Sequence, residues 1–124
     1  MKIAEVSEKY HVTPDTLRYY ERIGLLKPVA RNESGIRDYS EDDIHRLEFI
    51  KCMRRAGLPI DVLIEYIHLL DQGDETIEAR IDLLKEQRVL LQARIHEMQE
   101  TLKVLDYKIS LYGEAVHARE KELA

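Results

Sequence analysis

Thr13-Pro14-Asp15-Thr16-Leu17-Arg18-Tyr19-Tyr20-Glu21-Arg22-Ile23-Gly24-Leu25-Leu26 is the stretch on which the reading of this chain turns. Thr13 has the short hydroxyl side chain of a good N-cap, and Pro14 suits the first helical position, where its missing N–H is not needed. Gly24 supplies the stop. At about 100° per residue, Asp15, Arg18 and Arg22 share one face with Tyr19 beside them, while Leu17, Tyr20 and Ile23 lie opposite. The apolar set anchors the helix on a neighbour. The polar set offers guanidinium groups and a phenol to phosphate oxygens and base edges. The alternative is a solvated surface helix in which Arg18 and Arg22 pair with Asp15 and Glu21.

Working outward, Ile3, Val6 and Tyr10 fall at i, i+3 and i+7, which predicts a short amphipathic helix over 3–10 and a turn at His11-Val12. Residues 3–24 thus read as a helix-turn-helix. Residues 25–39 read as a β-hairpin wing. Lys27 to Arg31 form an edge strand, Asn32-Glu33-Ser34-Gly35 the turn, and Ile36 to Tyr39 the return strand. Such a wing lies on the sugar-phosphate backbone and fixes register without reading sequence. Ser40 with Asp43 resembles a capping box with Asp in place of the usual Glu or Gln, opening a third helix over 40–56 that Gly57 ends. A fourth helix spans 60–72. The third carries apolar residues around much of its circumference, so it is expected to pack on two sides. Residues 1–72 then form one winged helix-turn-helix domain.

Beyond Gly73 a single pattern continues. Ile77, Ile81, Leu84, Arg88, Leu91, Ile95, Met98, Leu102, Leu105, Ile109, Tyr112 and Val116 alternate by four and three residues, and Arg88 alone among them is not apolar. A helix over 75–112 would be roughly 57 Å long at 1.5 Å per residue, too long to bury its stripe on a small domain. The pattern calls for a second copy in a two-stranded coil, antiparallel or parallel. Arg88 at a seam position sets register or reaches an acidic partner. Tyr112-Gly113 is read as the frayed end, with 113–124 as a charged tail.

The net charge of −5 looks wrong for a nucleic-acid binder, but it divides as +1 over residues 1–58 and −6 over 59–124. The acid excess belongs to the C-terminal half. One cysteine makes no intramolecular disulfide, and no apolar run approaches the ~20 residues of a membrane span, nor is a signal peptide evident. A cytoplasmic protein is expected. Histidines 11, 45, 68, 96 and 117 show no ligand spacing, so neither metal nor cofactor is expected. There is no nucleophile-base pair or phosphate loop, and Cys52 and His45 are seven residues apart, which argues against an enzyme.

The stretch 13–26, with Pro28, Arg31, Gly35, Arg37 and Tyr39 in the wing, Gly57, and the single long helix, closely resembles the MerR family of bacterial transcription regulators along essentially the whole chain. The resemblance implies a mainly α protein, a winged helix-turn-helix followed by a dimerisation helix in an antiparallel coiled coil. It implies binding to double-stranded promoter DNA between the −35 and −10 elements, where the spacer is too long for RNA polymerase. Activation then bends and untwists the DNA to bring the two elements into phase. On this resemblance Arg18 reaches the major groove, and Tyr19, Tyr20, Arg31, Arg37 and Tyr39 hold phosphates. Thr13 and Asn32 complete the candidate DNA-contacting set. Ile36 stands where the family usually has an aromatic residue. Ile77, Ile81, Leu84, Leu91, Ile95, Met98, Leu102, Leu105 and Ile109 would form the dimer interface.

Metal-sensing members place cysteines at the start of the dimerisation helix and in a loop after it. Here that start reads Asp74-Glu75-Thr76-Ile77, and no cysteine follows position 52. Drug-binding members carry a further ligand domain, for which the chain has no room. Cys52 remains, with Lys51, Arg54 and Arg55 close in sequence to favour a thiolate. Its place resembles the aldehyde- and thiol-stress-responsive subgroup; the alternative is an inert cysteine filling a gap. Two other readings stay open: a small apolar effector between the fourth helix and the coil, and an architectural DNA-binding protein without promoter control.

Overall fold

The computed structural model describes residues 1–123. Helices α1 (Ile3–Tyr10), α2 (Pro14–Arg22), α3 (Glu41–Arg55), α4 (Ile60–Asp71) and α5 (Ile77–Leu123) follow in order, with one 3-10 turn at Asp74–Thr76 before α5. The chain divides into two units, one ending at Lys85 and one beginning at Glu86.

The first unit is built by local signals that hold. Thr13 Oγ1 accepts from the Thr16 amide at 3.1 Å and caps α2. Ser40 and Asp43 exchange bonds, Ser40 N to Asp43 Oδ2 at 2.9 Å and Asp43 N to Ser40 Oγ at 3.2 Å, so the shorter acid closes the capping box over α3. At Gly24 the backbone takes φ +86°, a conformation open to glycine, and the amides of Leu25 and Leu26 turn back onto Tyr20 O. That reversal buries both leucines. They join Val6, Leu17, Leu47, Ile50, Leu63 and Ile67 in a fully enclosed core that welds α1, α2, α3 and α4 together.

Helix α3 buries one stripe, Ile44, Leu47 and Ile50, and its partly buried Phe49 stacks on Tyr66 of α4 at 5.2 Å. Burial on two sides was expected; within the chain it reaches Phe49 and Met53 but leaves Cys52 exposed. The turn from α4 to α5 is tied by Thr76, whose hydroxyl donates to Leu69 O at 2.6 Å and lies 2.8 Å from Gly73 O. Arg80 reaches back to Thr76 Oγ1 and to Gly73 O.

Two expectations are corrected. Residues 25–39 form no strand pair. Among the described residues β pairing is a single antiparallel bridge, Arg31 with Arg37. Pro28 removes a ladder donor, and only Asn32 N to Ile36 O and Asp38 N to Ala30 O, both 2.8 Å, extend the pairing. The long helix also does not stop at 112: α5 runs 47 residues to Leu123. Gly113 costs about 1 kcal/mol inside a helix, which the strong helix formers around it offset. Along α5 most of the expected seam is open to solvent, with Met98 71%, Leu102 58% and Ile109 68% exposed, while Leu84 and Leu91 are half-buried.

Candidate nucleic-acid interface

The exposed face of α2 and the hairpin-like loop after it form one polar surface. On α2, Arg18 Nη1 lies 2.9 Å from Asp15 Oδ1, and the Arg22 guanidinium sits over the Tyr19 ring at 5.3 Å. The Arg18–Asp15 pair is solvent-exposed and so weakly held, which leaves Arg18 able to exchange Asp15 for a stronger acceptor. Tyr20 turns inward and packs on the core beside Leu17.

In the loop, Asn32 is a builder of shape. Its Oδ1 accepts from the amides of Ser34 at 2.9 Å and Ile36 at 3.0 Å, an Asx turn that Gly35 completes at φ +77°. Arg31 Nη1 donates to Gly35 O at 2.7 Å and braces the tip from outside.

The residue that joins helix to loop is Glu21. Its Oε1 accepts from the Val29 amide at 3.0 Å and from Arg37 Nε at 3.3 Å, and its Oε2 accepts from Arg37 Nη2 at 3.4 Å. Both side chains of the pair are about four-fifths buried. In the alternative of a solvated surface helix, Arg18 and Arg22 would pair with Asp15 and Glu21. The true partners of Glu21 lie 8 and 16 residues away, across the turn at Gly24, where helical periodicity carries no information. Arg37 is consequently committed to Glu21 rather than standing free at the surface.

Burial alone would raise the Glu21 carboxyl. The Arg37 hydrogen bond, the Val29 amide and the charges of Arg37 and Arg31 together outweigh that and hold it below its ordinary value of 4.5. A carboxyl depressed in the folded state stabilises fully above the unfolded value, and that contribution is lost as the pH falls through the folded one. Glu21→Gln is therefore expected to cost about 1–3 kcal/mol at pH 7. In thermal melts between pH 7 and pH 3 the variant should lose less stability than the parent.

Tyr39 corrects a further expectation. Assigned to phosphate binding, it is 4% exposed, and its hydroxyl is enclosed without a hydrogen-bond partner. Burial raises its phenol above the ordinary value, so the ring is a neutral part of the core. Thr13 likewise spends its hydroxyl on helix capping and on Thr16 Oγ1 at 2.8 Å. Arg18, Tyr19, Arg22 and Arg31 stay exposed on this face.

Cys52 lies apart from this surface, exposed on α3. Two of its basic neighbours are engaged elsewhere: Lys51 Nζ donates to Tyr10 O, and Arg54 Nη1 to Leu58 O at 2.9 Å. Between the loop base, α3 and α4 there is also a cleft of about 570 Å³, with Phe49, Tyr66 and Leu70 on its apolar side and Lys27, Asp42 and Arg46 on its polar side. Among the described residues no cluster of His, Cys, Asp or Glu is arranged to hold a metal, and no helix is long and apolar enough to cross a membrane.

Residues 1–70 match the MerR HTH family regulatory proteins, and residues 44–107 match the MerR DNA-binding family. The chain belongs to the MerR family. This MerR regulator is 57% identical over 88 residues to the HTH-type transcriptional regulator AdhR of Bacillus subtilis, a match spanning 71% of the chain but 63% of AdhR. Its fold matches the crystal structure of a MerR family regulator from Listeria monocytogenes with a TM-score of 0.91 and 49% identity, covering 99% of this chain and 93% of that one. It also matches HiNmlR, described as a MerR family regulator lacking the sensor domain and bound to promoter DNA. There the TM-score is 0.82 and the identity 31%, over 92% of this chain and 90% of that one. The MerR regulator is thus a DNA-binding transcription regulator of the AdhR- and NmlR-like kind, and not an enzyme.

Proposed function

We propose that this MerR regulator binds an inverted repeat in promoter DNA as a homodimer and activates by bending and untwisting an over-long −35/−10 spacer for RNA polymerase. The observation that carries the reading is the Glu21 clamp, which fixes the Arg31 loop against the exposed Arg18 face of α2. One rigid unit then offers a helix for the major groove and a flanking loop for the backbone. Arg18 reads base edges; Tyr19, Arg22 and Arg31 hold phosphates, and Arg37 sets the loop. HiNmlR, a MerR family regulator lacking the sensor domain, is bound to promoter DNA and is similar to this chain over 90% of its own length, which supports the reading. The open apolar seam of α5 supplies the second half-site by pairing with a second copy. Selection from a pool of random DNA should enrich a two-fold inverted repeat. Recovery of sequences without preference would favour an architectural role.

Cys52 is proposed as the sensor of reactive aldehydes or thiol stress. The thiol is exposed and open to an electrophile, and its place resembles that in the aldehyde- and thiol-stress-responsive subgroup. Cys52→Ser is expected to abolish the aldehyde response in transcription from the selected promoter while changing operator affinity less than about twofold, within the effect of a surface substitution. An unchanged response would assign the effector elsewhere, the cleft beside Phe49 and Tyr66 being the first alternative.

A further inference from the structure

We infer that the α5 dimer has one register, set by Arg88 and Lys85 of each copy closing on Asp106 of the other. The inference rests on the homodimer proposed above and goes beyond it to the residues that fix its geometry.

The seam positions from Ile77 to Val116 are spaced by alternating steps of four and three that read the same in both directions. Two antiparallel copies therefore match every seam position when paired residue numbers add to 193: Ile77 with Val116, Leu84 with Ile109, Arg88 with Leu105, Ile95 with Met98. With Ile77 at a d position, each layer pairs an a with a d, as antiparallel coils require. Slipping by one heptad either way leaves two seam residues of each copy without a partner.

Charge selects the same register. In it, Arg88 enters a hole formed by the partner's Leu102, Leu105, Asp106 and Ile109, laying its stem on the leucines and its guanidinium at the acid. Lys85 flanks the seam opposite the same Asp106. The positions on the other side pair Arg80 with Ala115, Gln87 with Lys108 and Arg94 with Thr101, with no like charges opposed. One slip sets Glu78 against Asp106, Arg80 against Lys108 and Arg94 against itself. The opposite slip sets Arg94 against Lys108 and leaves Arg88 facing Tyr112 and Gly113. A parallel, in-register pair would bury Arg88 against Arg88 and oppose Arg80 to Lys85. Among these arrangements, one gives Arg88 an acidic partner and no repulsive flank.

The test is a distance measurement on the full chain with Cys52→Ser and a spin label at Glu86→Cys, a position facing away from the seam. The register predicts labels about 31 Å apart along the coil axis, at 1.5 Å per residue. A slip of one heptad moves this by about 10 Å, and a parallel pair removes the axial offset and leaves only the width of the coil, about 20 Å; either result overturns the register. Sedimentation of the same sample separates the two claims, because a monomer there refutes the dimer itself. Asp106→Lys should weaken the dimer by roughly tenfold or more. Adding Lys85→Glu and Arg88→Glu should restore it to within roughly threefold. Failure of the exchanged charges to restore pairing overturns the assignment of Asp106.

Discussion

Arg18→Ala is expected to weaken operator binding by about 1–3 kcal/mol for each half-site, the worth of one well-made base contact. In a two-fold dimer the loss occurs twice, so affinity for the selected repeat should fall by roughly thirtyfold or more. The side chain is half-exposed and its partner Asp15 is almost fully exposed, so its removal should barely alter the fold. Binding to unrelated DNA should fall much less, because the backbone contacts remain. Competition binding with specific and random duplexes measures both losses together. Equal weakening on the two duplexes would make Arg18 a phosphate contact and leave base reading to another residue.

Leu47→Ala should have the largest effect on stability, about 2–5 kcal/mol, the range for deleting a large buried aliphatic side chain. Leu47 is fully enclosed on α3, in the core that also holds Leu17 of α2 and Leu63 of α4. A cavity there frees the DNA-reading helix from its support, so operator binding should be lost near the temperature at which the unit melts. Ile109→Ala provides the contrast. Ile109 is 68% exposed in the single chain, so its truncation acts on pairing. Its effect on melting should depend on protein concentration, whereas that of Leu47→Ala should not.

Much of this was legible in the residues because local chemistry decides it. The Thr13 cap, the Ser40–Asp43 box and the reversal at Gly24 are set by a few neighbouring atoms, and the heptad stripe announces a helix that a small domain does not cover. What was not legible depends on the fold in space. The Glu21–Arg37 clamp crosses a turn, and Tyr39 is drawn inward by a core that its loop position does not reveal. Asn32 looked like a contact residue because turn builders and phosphate ligands share polar chemistry; its Oδ1 is spent on two backbone amides. The wing shrank to one bridge because Pro28 and the Asx turn leave too few residues for a ladder.

The central claim is that α2 and the loop clamped to it by Glu21 form the DNA-reading surface. Amide hydrogen exchange on the full chain, with and without the selected operator, tests it most directly. Slowed exchange over residues 13–22 and 31–37 is expected on DNA binding. Protection confined to α3, α4 or α5, with those two segments unchanged, would contradict it.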